Sequence, residues 1–187
     1  MIRKVSAYFL RIAGWKTFVA ALLLYLVFGA YVMPEGAKAF EAKSGKKVEI
    51  LDLQFHYSPE QARSIIADYG DAGRSFAIKF GLIADTLYPL AYTFFFLIIT
   101  SLIFKGLINK GTRTGNLHLF PLFILVVDYC ENIGIANLMN SYPNFTDTEV
   151  HIASFFTSLK WCLVIGLALI TIGALAILLL KKQPKQA

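Results

Sequence analysis

Cysteine is almost absent: Cys130 and Cys162 are the only two in 187 residues, and both fall inside apolar runs. Neither belongs to a CxxC, which excludes a dithiol exchange site and the usual thiolate zinc spacing. A bridge between two helices would need an oxidising compartment, so two small buried thiols are the expectation. A Gly-rich phosphate loop, a GxSxG elbow and a HExxH helix are missing too, which sets aside nucleotide hydrolysis, serine hydrolysis and zinc proteolysis by their familiar motifs. Histidine is limited to His56, His118 and His151. No two of them share a helical face, and paired axial haem ligands are absent, so no metal and no cofactor is expected. His56 near the acids of its loop is the weak exception.

Charge is the other scarcity. Only 16% of the side chains are charged, against 57% hydrophobic, with a mean hydropathy of +0.60. Such a chain needs lipid as part of its solvent. The net charge of +6 does not point to nucleic acid, because the Lys and Arg sit at the ends of apolar runs instead of clustering on one soluble face. There are no internal repeats and no low-complexity stretches.

Four runs are each long enough to cross a bilayer core, which takes about 20 residues of helix. The first is charge-free from Thr17 to Met33, comes after Arg3, Lys4, Arg11 and Lys16, and stops at Pro34. It exceeds the usual h-region of a signal peptide and is expected to remain as a helix. The second is Phe80 to Phe104, closed by Lys105, and the third is Leu117 to Leu138. The fourth is Ile152 to Leu180, closed by Lys181 and Lys182. Trp15, Tyr31, Tyr142 and Trp161 lie near the predicted ends, where aromatic side chains favour the interface. The predicted fold class is an all-α membrane protein: one integral domain over 1–187, a four-transmembrane-helix bundle with spans near 17–33, 80–104, 117–138 and 152–180.

Orientation is set by the basic residues. Those of 1–16, Lys105, Lys110 and Arg113 between the second and third runs, and Lys181, Lys182 and Lys185 of the tail share their segments with no acid. The 139–151 loop carries Asp147 and Glu149 and no base, and the 34–79 loop carries equal numbers of both signs. The positive-inside rule then puts both termini in the cytoplasm of a chain integral to the plasma (inner) membrane, with a bacterial source expected. Asn144-Phe145-Thr146 matches a glycosylation acceptor, a pattern without meaning in a bacterial chain.

The 34–79 loop has its own pattern. Val48 to Phe55 reads as a strand, or as a segment lying flat among headgroups. Ser58, Pro59 and Gln61 read as a helix start with a capping box, Gly70 as the end of that helix and Asp71 as the cap of the second long helix. The loop is expected to rest on the bundle as a lid.

The candidate chemistry lies in the third run. Counting from Leu117 at 1.5 Å per residue places Asp128 roughly 16 Å and Glu131 roughly 21 Å into the helix. Asp128, Glu131 and Asn132 share one face by their spacing of three and four. Ionisable residues at that depth are costly and are functional candidates, although holding helices together is the structural alternative. Asp85 precedes Pro89 by four positions, so its carbonyl loses its helical donor and a kink is expected. It can equally sit at the outer interface. Lys160 is expected either to pair with Glu131 or Asp85, or to snorkel outward.

These residues imply a polar pocket in the outer half of the bundle, lined by Asp85, Asp128, Glu131, Asn132 and Lys160 and edged by Tyr88, Tyr92 and Tyr129. Its expected occupant is a membrane lipid or a small amphiphilic ligand. The alternatives are a membrane enzyme with Asp128 or Glu131 as general acid or base on a lipid or isoprenoid-like substrate, a proton or ion pathway, and an assembly partner, as a homo-oligomer or within a larger membrane complex.

Overall fold

Pro34 does not end the first helix. A computed structural model describes residues 1–181; Lys182 and Lys185 of the basic tail lie outside the described residues. It shows an amphipathic α1 (Ile2–Ile12), then α2 (Trp15–Val27) running through a π-helical turn, Phe28–Val32, into α3 (Met33–Ser44). Proline at 34 has no N–H and its ring crowds the carbonyl four residues back. The wider turn just before it, with Met33 N–H bonded to Phe28 O, absorbs that conflict without breaking the rod. After α4 (Pro59–Asp68) come α5 (Gly70–Asn109), α6 (Phe120–Ser141) and α7 (Asp147–Leu180).

The chain is 85% helix, with no strand among the described residues. Four helices are long and apolar enough to cross a membrane: Trp15–Ser44, Gly70–Asn109, Leu117–Ser141 and Asp147–Leu180. Each extends beyond the run read from the sequence, because polar ends such as Gly70–Lys79 and Asp147–His151 continue the helix past the apolar stretch. The central helix is α5, against which α2, α3, α6 and α7 all pack. Close approaches between helices depend on glycine. A Cβ at Gly36 of α3 would lie 2.1 Å from the Phe80 ring of α5, and one at Gly134 of α6 would lie 3.1 Å from Ala153 of α7.

One end of the bundle carries a cap. Phe40, Leu51, Tyr57, Ile66, Tyr69 and Val150 belong to one buried cluster that also takes in Leu138 and Phe145. The strand expected over Val48 to Phe55 is instead an extended lead-in and a 3₁₀ turn, Leu51–Leu53. Its polar backbone finds side chains in place of a ladder: Leu51 N–H donates to the Tyr69 hydroxyl at 3.2 Å, Trp161 Nε1 donates to Asp52 O at 3.3 Å, and Ser158 donates to Phe55 O at 2.8 Å. Burial pushes the Tyr57 hydroxyl up to about 12 and raises that of Tyr69 as well, so both rings stay neutral.

Two helix starts at this end, those of α4 and α7, are capped. Ser58 Oγ accepts from Gln61 N–H at 3.3 Å and Gln61 Oε1 accepts from Ser58 N–H at 2.9 Å. Thr146 and Glu149 form the same reciprocal pair on α7. Asp71, expected to cap α5, pairs with Arg74 instead, and Tyr69 occupies the N-cap position without a side-chain bond. Arg63 ties α4 to the α6–α7 turn through Asp147 at 2.8 Å, Phe145 O at 3.1 Å and the Phe145 ring at 4.6 Å.

The opposite end is basic. Lys105 donates to Ala13 O at 3.3 Å, and Lys110 donates to Leu178 O at 2.8 Å and to Lys181 O at 2.6 Å. The carbonyls that α7 leaves open at its C-terminus thus meet a cation, where the helix dipole favours one.

Candidate functional site

The site starts from Pro89. Without an N–H at 89, the carbonyl of Asp85 has no donor within α5, and Asn132 of α6 supplies one through Nδ2 at 3.0 Å. One turn below Asn132 on α6, the Tyr129 hydroxyl donates to Thr86 O at 2.8 Å. Two side chains of α6 therefore satisfy the irregular backbone of α5, as is needed for any break in a helix away from water. Their spacing of three sets the register of α6 and turns Asp128 and Glu131 toward α7.

There Lys160 meets both carboxylates. Its Nζ lies 2.5 Å from Glu131 Oε2 and 3.5 Å from Asp128 Oδ1. Glu131 is 0% exposed and Asp128 5%. Apart from Lys160, neither oxygen of Glu131 has a donor among the described residues. The ion pair joins α6 and α7, and of the two partners expected for Lys160 it takes Glu131. Asp85 makes no ion pair among the described residues, because its side chain turns back along α5 to within 2.9 Å of where a Cβ on Gly81 would stand.

Beside these groups is a cleft of about 1320 Å³. Asp85, Asp128, Asn132, Lys160, Tyr88, Tyr92 and Tyr129 all line it; Glu131, expected among the lining residues, is packed behind Lys160 and does not. Along the helices from the cap toward the basic end, the walls change character: Phe96 and Ile99 on α5, Ile124 on α6, and Leu167 and Ile172 on α7 are apolar. Ile133 and Ile172 are also exposed on the flank of the bundle, so the cleft opens sideways. Phe40, Leu51, Phe76, Phe80 and Met139 make the wall apolar toward the cap as well, so the polar groups form a belt between two apolar stretches.

Asp52 is the residue that sequence reasoning missed. It reaches the cleft from the 3₁₀ turn of the cap, with Oδ1 buried and without a donor among the described residues. The available signal was its position as the one acid inside Ile50-Leu51-Asp52-Leu53, an otherwise apolar segment. Tyr25 of α2 is the second addition; its ring stacks on Phe95 at 5.0 Å and faces Tyr88 at 6.3 Å.

Other candidates lie elsewhere. His56 bonds Ser154 Oγ through Nδ1 at 2.9 Å, His118 is buried near the basic end, and His151 is exposed on α7. No group of three His, Cys, Asp or Glu could hold a metal ion among the described residues. Both cysteines are free; Cys130 is half-buried, and Cys162, expected to be buried, is exposed on the side of α7 because α7 shows most of its apolar surface outward.

No family model, curated protein or solved structure matches the chain.

Proposed function

We propose that this chain is an integral membrane protein that binds a lipid or small amphiphile, head toward Asp85, Asp128 and Asn132 and tail toward Ile124, Leu167 and Ile172. The observation that carries the reading is the cleft of about 1320 Å³, whose mostly apolar walls hold a central group of polar side chains and which opens on the bundle's flank. Sites for small molecules are mostly apolar, with a few convergent polar groups that fix orientation. A flank opening admits a ligand already dissolved in the bilayer. In this reading the basic end is cytoplasmic, the cap faces the other side, and the membrane is the plasma (inner) membrane of a bacterium.

Mass spectrometry of molecules extracted from the purified protein tests the reading. A bound amphiphile is expected in the wild type and is lost or reduced in Asp128→Asn/Glu131→Gln. An empty protein, together with unchanged biological performance of the double variant, overturns it.

A membrane enzyme is the second reading, favoured by one contact: Asp128 both lines the cleft and lies 3.5 Å from a cation that can hold its charge. A carboxylate so placed can exchange a proton with a bound substrate. A through-membrane ion path gains no support, since Leu119 to Val127 of α6 carries no ionisable side chain.

A further inference from the structure

We infer that the amphiphile's head is an ammonium group and that the ligand carries net positive charge, as a long-chain amine does. This rests on the reading of the cleft as an amphiphile site. Among the described residues Lys160 is the one basic side chain along the cleft, and Glu131 at 2.5 Å and Asp128 at 3.5 Å already hold it. No cation is left over among them for a phosphate, sulfate or carboxylate. Acceptors are in excess: among the same residues Asp85 lines the cleft without an ion pair, and Asp52 Oδ1 is buried there without a donor. A buried acceptor of this kind is tolerated best when a donor or a cation meets it.

The aromatic wall points the same way. Tyr25, Tyr88 and Tyr92 line the cleft together, with Tyr88 and Tyr92 edge to face at 5.5 Å. Ring faces attract an ammonium within about 6 Å, most strongly where water is excluded. Carboxylates and phenol rings along the same cleft suit an alkylammonium, and they offer a hydroxyl far less. A zwitterionic diacyl lipid has the ammonium, but its phosphate would face Asp52 and Asp85 without a basic partner. The charge pattern therefore selects a net cation over a phospholipid headgroup.

The test compares four ten-carbon probes by titration calorimetry on the full chain in a nonionic detergent: decylamine, decanol, decanoate and decylphosphocholine. Decylamine is expected to bind at least about tenfold more tightly than the other three. Asp85→Asn should shrink the gap between amine and alcohol to roughly threefold or less, with amine binding losing more than decanol binding does. Tyr88→Leu, which leaves every carboxylate in place, should narrow the same gap and keeps the test open if the Asp85 variant fails to fold.

Equal affinity for decylamine and decanol overturns the inference and leaves the amphiphile site standing. Preference for decanoate, or decylphosphocholine binding as tightly as decylamine, overturns it as well. Failure of all four to bind removes the inference and the proposed function together.

Discussion

The side-chain amide of Asn132 donates to the main-chain carbonyl of Asp85 at 3.0 Å, and that carbonyl is the one Pro89 leaves without its helical donor. A defect in one helix and a polar side chain in its neighbour thus answer each other. The contact belongs as much to the sequence position of Pro89 as to Asn132.

The two residues should consequently be coupled. Asn132→Ala is expected to destabilise the protein by about 0.5–1.5 kcal/mol, the range of hydrogen bonds between helices in membrane proteins. In a Pro89→Ala background residue 89 regains an N–H and Asp85 O regains its helical partner, so the same substitution should have less than half that effect. Unfolding of the four proteins of this cycle in mixed micelles measures the coupling. Equal effects in both backgrounds would show that Asn132 acts through something other than the freed carbonyl.

Lys160 should be more expensive to remove alone than with its partner. Lys160→Met leaves Glu131 fully buried and without a cation, and loss of one member of a buried pair typically destabilises by about 3–5 kcal/mol. Lys160→Met/Glu131→Gln replaces the stranded carboxylate by a neutral amide and should recover roughly half of that loss. Thermal unfolding of the solubilised variants, ranked as wild type, double, then single, is the expected order. A double variant less stable than the single would mean that Glu131 is held by groups other than Lys160.

The same residues show how much was legible in the chain. Asp128, Glu131 and Asn132 share a helical face by spacing alone, and Lys160 is the one basic residue inside the fourth apolar run. Their convergence needs only that each avoid lipid. The meaning of Pro89 was also readable, since the orphaned carbonyl depends on covalent structure and not on packing. Asp52 was not: it lies in a loop more than thirty residues from any of them, and only the folding of the cap over α7, through Trp161 and Ser158, brings it to the cleft. Val48 to Phe55 misled for a related reason. Its apolar residues suit a strand, but with no second extended segment among the described residues to pair with, its backbone bonds to side chains instead. At Pro34 the rule that proline stops a helix met a π turn that makes room for it.

The start of α7 carries the attachment of the cap. Thr146 Oγ1 accepts from Glu149 N–H at 3.3 Å, Glu149 Oε2 accepts from Thr146 N–H at 2.7 Å, and Arg63 reaches Asp147 beside them. Hydrogen bonding from Thr146 holds the Glu149 carboxyl below the usual carboxylate range. A folded-state value below the unfolded one makes this contribution present near neutral pH and lost as pH falls through the carboxylate range. Thr146→Ala is expected to reduce stability by about 1 kcal/mol and Glu149→Ala to add little on top of it, because the two act as one cap. Amide exchange at the start of α7 and in α4 should rise in both variants, more at pH 7 than at pH 4.

Gly36 offers the sharpest test of how the cleft is held open. A Cβ at this position would stand 2.1 Å from Phe80 Cζ and 2.6 and 2.7 Å from its Cε atoms, distances at which the ring must move. Phe80 stacks on Phe76 at 5.6 Å, and both Gly36 and Phe80 border the cleft. Gly36→Ala should then separate α3 from α5 or press the ring into the cleft, destabilising by about 1–3 kcal/mol as overpacking does. Phe80→Leu removes the ring atoms that clash, so the double variant should be more stable than Gly36→Ala alone despite carrying a second change. Decanol binding reports the cleft directly: it is expected to weaken in Gly36→Ala and to return in Gly36→Ala/Phe80→Leu. A Gly36→Ala protein with unaltered stability and binding would mean that α3 does not approach α5 this closely, and the wall of the cleft would have to be redrawn.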